Sequence, residues 1–221
     1  ISVRDVFDAP SVRELVELAG QRSASLPPVT AVQPRPDRIP LSFAQQRMWF
    51  LNRFDPSSAA YNIPIGVRLT GDLDVSALRS SIEDLVDRHE VLRTTFPAVD
   101  GEPVQLVHGA GSDHATVDWA EVDSFDALVD AATGGFDVTA APPFRVRLWR
   151  SGDKEWTLLA IIHHIIGDGE SMIPLLSDMV TAYTARARGE EPRFAPLTVQ
   201  FADYALWQHR ELGSADDPTS V

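Results

Sequence analysis

Apolar residues fall into two periodicities along this chain, with one unbroken run between them. Leu158 to Ile162 are continuously apolar and follow Trp156, the pattern of a short strand buried on both faces. Ile63 to Leu69 alternate, and Val91 to Phe96, Val104 to Val107 and Phe144 to Trp149 also read as strands. Helical spacing occurs at Val75, Leu78, Ile82, Leu85 and Val86, which share one face and follow Leu73 and Asp74. It recurs at Met172, Leu175, Leu176, Met179, Val180 and Tyr183 within residues 171–188. Residues 123–132 predict a further helix. Residues 41–51, LSFAQQRMWFL, open with Ser42 and Gln45, the pair of a capping box, and offer Phe43, Met48, Phe50 and Leu51 for burial. Strands and helices intermix without repeats, so the class is α/β or α+β.

The head of the chain differs. ISVRDVFDAPSVRELVELAG predicts a turn and a short amphipathic helix, with Pro10 near its first position, Gly20 just past its end, and a stripe of Val12, Leu15, Val16 and Leu18. Five prolines follow, at 27, 28, 34, 36 and 40, with almost no periodicity. That describes a semi-rigid extended linker, so the helix before it belongs to another unit.

Residues 161–171, IIHHIIGDGES, hold the candidate chemistry. The apolar strand runs into His163 and His164, Gly167 and Gly169 break it, and a helix follows. Adjacent strand residues point to opposite faces, so the two imidazoles do not share a metal ion. Neither i, i+4 histidines on a helix nor a spaced Cys/His set occurs, and no metal is expected. One histidine should be buried and the other should face an opening.

Composition narrows the classes. In 221 residues, 19 basic against 32 acidic side chains give a net charge of −13, which repels nucleic acid and anionic membrane surfaces. No Lys or Arg occurs between Thr94 and Phe144, a stretch read as a solvated acidic face. With no cysteine there is no disulfide and no thiolate nucleophile. No apolar run has the length of a membrane span, residues 1–20 lack signal-peptide character, and the expected location is cytoplasmic.

Four segments together carry a resemblance. LSFAQQRMWFL at 41–51, RHEVLRTTF at 88–96, HHIIGDGES at 163–171 and FADYALWQ at 201–208 resemble, in order and spacing, successive motifs of condensation domains from nonribosomal peptide synthetases, over about residues 38 to 210. Residues 1–20 resemble the C-terminal helix of a peptidyl carrier domain, with 21–39 as the Pro-rich linker. Residues 40–221 then resemble the N-terminal lobe of a condensation domain, with its second lobe absent.

The resemblance implies a chloramphenicol-acetyltransferase-like fold, an α+β sandwich in which two lobes form a V around a tunnel. It implies amide formation between a donor thioester on an upstream peptidyl carrier domain and the amine of an acceptor aminoacyl thioester on a downstream one. Both substrates would ride on 4'-phosphopantetheine, whose attachment serine is not in this chain, beside an adjacent adenylation domain. His164 would face the tunnel and take up or orient the amine proton. His163 would be structural, and Asp168 would hold the loop through an ion pair with Arg93 or Arg88. Gly169 would present a backbone N–H to the oxyanion at the helix start. Ser171 would cap the helix. The remaining histidines, His89, His108, His114 and His209, are read as surface or structural, and Tyr204 and Trp207 as core aromatics. The fragment alone would be inactive.

Alternatives on the same scaffold are a catalytically silent recruitment domain, which usually has a degraded histidine motif, and an epimerisation domain, whose other motifs differ from those at 41–51 and 88–96. A free-standing coenzyme A acyltransferase would not carry the head and linker.

Overall fold

The computed structural model describes residues 7–21 and 26–213. The outermost residues of the expected carrier segment and lobe, 1–6 and 214–221, and linker residues 22–25, lie outside it.

Three strands of the central sheet follow from the patterns read above. Strand β2 (Asn62–Thr70), β7 (Phe144–Gly152) and β8 (Glu155–His163) pair antiparallel, and β6 (Asp118–Val122) adds in parallel, in the order β2-β8-β7-β6. Strand β8 lies in the middle, which is why its sequence is apolar at consecutive positions. A second, small sheet joins β1 (Ile39–Pro40), β3 (Thr94–Thr95), β4 (Ala98–Val99) and β5 (Glu102–Val107) around β5.

Helices α3 (Val75–Arg88) and α5 (Met172–Arg186) lie side by side and bury their stripes against one face of the central sheet. Leu158 and Ala160 of β8 face Ile82, Leu85, Met172 and Met179 there. On the opposite face α4 (Phe125–Thr133) contributes Leu128, and Leu159 and Ile161 complete a continuous core with Phe136 and Val138. Asp74 caps α3, its carboxylate accepting from the Ala77 amide at 2.9 Å. Helix α2 (Phe43–Phe54) begins with the capping box expected from Ser42 and Gln45. Helix α6 (Phe201–Leu212) packs against β1 and the start of α2: its His209 Nε2 lies 2.8 Å from the Leu41 carbonyl, and Phe43 N–H donates to Gln208 Oε1 at 2.9 Å.

Several expectations are corrected. Val91 to Phe96 is not one strand: Glu90–Arg93 form a 3-10 turn and only Thr94 and Thr95 pair with β5. Thr94 Oγ1 donates to the Glu90 carbonyl, a local bond that competes with extension. Phe50 is exposed, and α2 buries Gln45 and Asn52 instead. At the head, helix α1 (Val12–Gln21) is capped by Ser11 and Glu14, so Pro10 stands before the cap and Gly20 lies within the helix. Strand β6 went unread inside the acidic stretch. There Asp118 is paired with Arg145 and Arg147, each at 2.8 Å, rather than merely solvated.

Within the expected linker, Pro27, Val32 and Arg35 are docked on the folded domain. Asp203 on α6 accepts from Val32 N–H at 3.2 Å and from Arg35 Nε at 3.0 Å, Arg35 also pairs with Glu90, and Trp207 Nε1 donates to the Pro27 carbonyl at 2.8 Å. Prolines leave carbonyls without neighbouring N–H partners, and here the Trp207 side chain meets that of Pro27.

Candidate active site

Strand β8 ends at His163, opposite Asn62 of β2, and the chain then turns. The alternation of the strand decides what happens to the pair. His163 is 1% exposed and points to the face that carries Phe136, whose ring meets its own edge-on at 6.5 Å. His164 is exposed, its backbone N–H held by the Tyr61 carbonyl at 2.8 Å.

His163 Nδ1 accepts from the Ile165 amide at 3.1 Å, so the buried ring is a turn-forming acceptor. Burial, together with the neighbouring His164, pushes its pKa down to about 4. A histidine depressed in the fold is protonated first in the unfolded chain, so stability is full above about pH 6.5 and is lost as pH falls towards 4. The expected loss is about 3 kcal/mol. Urea unfolding at pH 7 and pH 4.5, on the wild type and His163→Gln, checks this; equal acid sensitivity of the two would refute it.

His164 lies on the wall of a cleft of about 420 Å³ between the start of α2, the loop 164–171 and the first turn of α6. Gln45, Met48, Ile165, Ile166, Phe201 and Tyr204 share that wall, with Asp168 and Ser171 at the loop end. Phe201 and Tyr204, 5.4 Å apart, make the α6 side of the cleft aromatic, and Tyr204 also stacks on Trp207 at 5.8 Å. A separate cavity of about 220 Å³ between α3 and residues 111–119 contains none of the expected site residues.

The loop is closed by a reciprocal pair rather than by an arginine. Ser171 N–H and Oγ–H donate to Asp168 Oδ1 at 3.1 and 2.8 Å, and Asp168 N–H donates to Ser171 Oγ at 3.1 Å. Asp168 is therefore the capping residue of the turn that leads into α5. The Ser171 hydroxyl folds back on it instead of capping the helix, and Ser171 itself has helical backbone angles. These bonds, those from Ser171 foremost, hold the Asp168 carboxyl below the usual carboxylate range.

Neither expected arginine reaches Asp168. Arg88 leaves the last turn of α3 towards α5, where it pairs with Asp178 at 2.8 Å and lies over the Phe194 ring. Arg93 turns back through the 3-10 turn onto the Val86 carbonyl at 3.2 Å and the His108 carbonyl, closing the C-terminal end of α3. Because Asp168 is exposed and bonded by neutral donors, Asp168→Asn is expected to cost under about 1 kcal/mol, an amide oxygen accepting the same bonds. A drop of several degrees in Tm would show that the charge itself holds the loop.

Gly169 is not on the cleft wall. Helix α5 begins three residues later, at Met172, and the position is open where a Cβ would stand. Residues the sequence reading passed over are Gln45, read only as a cap, and Asp203, an acid among the aromatics of FADYALWQ. Both are buried polar side chains, and their burial depends on partners distant in the chain. Among the described residues, no group of three or more metal-ligating side chains occurs, and no helix is long and apolar enough to cross a membrane.

A condensation-domain family model matches residues 36–218. The chain is 45% identical over 221 residues to a probable non-canonical nonribosomal peptide synthetase of Salinispora arenicola, covering all of this chain and 3% of that protein. It is 43% identical over 226 residues to a dimodular nonribosomal peptide synthase of Bacillus subtilis, covering all of this chain and 9% of that protein. The chain thus spans a small part of the curated relatives it matches.

Among solved structures, the X-domain from teicoplanin biosynthesis superposes with a TM-score of 0.76 at 35% identity, over 88% of this chain and 43% of that one. The first condensation domain of the CDA synthetase gives a TM-score of 0.68 at 18% identity over 82% and 48%, a likeness of fold. The fold is therefore the chloramphenicol-acetyltransferase-like fold of condensation domains. The chain belongs to the condensation-domain family, and the relatives it matches are nonribosomal peptide synthetases.

Proposed function

We propose that residues 40–221 are the N-terminal lobe of a condensation domain that joins a donor acyl thioester to an acceptor amine, with His164 as the group at the reacting nitrogen. The observation that carries this is the split of the histidine pair: one imidazole is buried and kept neutral, and its neighbour is exposed on the wall of an apolar cleft.

The amine nitrogen attacks the thioester carbonyl, a C–N bond forms and the C–S bond breaks. His164 accepts or orients the proton that leaves nitrogen, and the departing thiolate takes a proton up. A thioester is already activated, so fixing the amine near the carbonyl supplies much of the rate. The wall of Met48, Ile165, Ile166 and Phe201 suits an uncharged arm better than a free phosphate, in keeping with substrates tethered through 4'-phosphopantetheine.

On this reading the partners are upstream and downstream peptidyl carrier domains, an adjacent adenylation domain and a second lobe that completes the tunnel. Residues 1–20 are the end of the upstream carrier domain and 21–39 the linker to it. The exposed Val12 and Val16 of α1 fit a helix whose apolar stripe packs in that domain.

The test is transfer in the full-length synthetase between donor-loaded and acceptor-loaded carrier domains, followed by mass spectrometry. Amide product is the expected result. Absence of product with correctly loaded carriers would overturn the reading and favour a recruitment platform, as in the X-domain solved in complex with OxyB. Product from free acyl-coenzyme A as readily as from a carrier would favour the free-standing acyltransferase.

A further inference from the structure

We propose that Gln45 is a positioning residue for His164, clamping the loop that carries it to the N-terminus of α2. The inference rests on the condensation reading for its catalytic consequence and on the structure alone for the clamp.

Gln45 is 2% exposed, and both ends of its carboxamide are used. Its Oε1 accepts from Ser42 N–H at 3.0 Å and its Nε2 donates to the Ile165 carbonyl at 3.1 Å. The backbone partners fix which end is which, since an N–H needs the oxygen and a carbonyl needs the nitrogen. Ile165 N–H in turn donates to His163 Nδ1.

A buried chain of hydrogen bonds therefore runs from Ser42 through Gln45 and Ile165 to His163, and His164 sits between the last two. Its own side chain has no bond to the clamp, so the ring is aimed by its backbone. That backbone is held on one side by the Tyr61 carbonyl and on the other by the Gln45 bond to residue 165. Ser42 and Gln45 would serve a plain capping box without the bond to Ile165. The long-range bond is what ties the cap to the site.

No other side chain does both jobs at this length. Methionine fills the same space and makes neither bond. Glutamate keeps the acceptor, and donates to the Ile165 carbonyl only when its carboxyl is protonated.

The experiment uses the full-length synthetase carrying Gln45→Met or Gln45→Glu, assayed below the melting temperature of each variant. Two readouts are taken: amide formation between loaded carriers, and the rate of His164 modification by diethyl pyrocarbonate, mapped by mass spectrometry with the exposed His114 as internal reference. For Gln45→Met we expect kcat to fall by about 10- to 100-fold with the acceptor KM little changed, as for a displaced catalytic group. We also expect a several-fold change in His164 modification relative to His114. For Gln45→Glu we expect activity relative to wild type to recover as pH is lowered, because the protonated carboxyl restores the donor.

Wild-type kcat and wild-type His164 modification in Gln45→Met would overturn the proposal, even if that variant melts lower. So would a pH profile of Gln45→Glu parallel to wild type. If wild-type synthetase forms no amide at all, the condensation reading falls, and the modification rates still decide whether Gln45 sets His164.

Discussion

His164→Ala is expected to lower amide formation in the full synthetase by about 10²- to 10⁴-fold, the usual worth of a positioned acid–base group. Its effect on stability should be small, within about 0.5 kcal/mol, because the side chain is exposed and its removal opens no core cavity. His163→Ala is the opposite case: it empties a site that is 1% exposed and strands the Ile165 amide without its acceptor, so unfolding free energy should fall. Measuring transfer and Tm on both variants separates the two histidines. Loss of transfer at unchanged Tm in His163→Ala, with His164→Ala active, would reverse their assignment.

The largest effect on stability is expected at Asp203, far from the chemistry in sequence but on the helix that walls the cleft. Its carboxylate is 1% exposed and accepts from Val32 N–H, from Arg35 Nε and a terminal nitrogen of the same guanidinium, and from Gln200 N–H at 2.8 Å. Burial pushes the carboxyl pKa up, yet the bonds from Arg35, Gln200 and Val32 outweigh it and hold the group low. The stabilisation is therefore present at neutral pH and is lost as pH falls through the carboxylate range. Asp203→Ala leaves the mostly buried guanidinium of Arg35 with Glu90 as its acidic partner, and is expected to cost about 3–5 kcal/mol. The double variant Arg35→Met/Asp203→Ala should recover part of that cost, because the guanidinium is removed together with its buried partner and Glu90 keeps Arg93 at 4.0 Å. Chemical denaturation of the two variants and Arg35→Met closes the cycle; additive losses would show that the pair is not coupled.

Local patterns made most of the frame legible. The alternation of Ile63–Leu69, the apolar run of β8, the stripe of α3 and the Ser42–Gln45 cap each correspond to an element of the structure, because each is decided by neighbours in sequence. What the sequence left hidden depends on distant partners. Arg88 and Arg93 are close to each other in the chain, but one faces Asp178 on α5 and the other the end of α3, and nothing local distinguishes them. Strand β6 is hidden for the same reason: its Asp118 looks solvated until Arg145 and Arg147 arrive from β7. The opposite facing of His163 and His164 was readable from strand alternation, whereas the Asp168–Ser171 closure needed the loop geometry.

Docking of the linker along α6 limits how far anything attached upstream can travel. With Pro27 held by Trp207, five residues separate it from the last residue of α1, and a chain of that length reaches at most about 20 Å when fully extended. A carrier domain ending in α1, as proposed, would be confined to a small volume beside Trp207. Its local concentration there is set by the short tether, and a longer excursion requires Trp207 to let go of the strap.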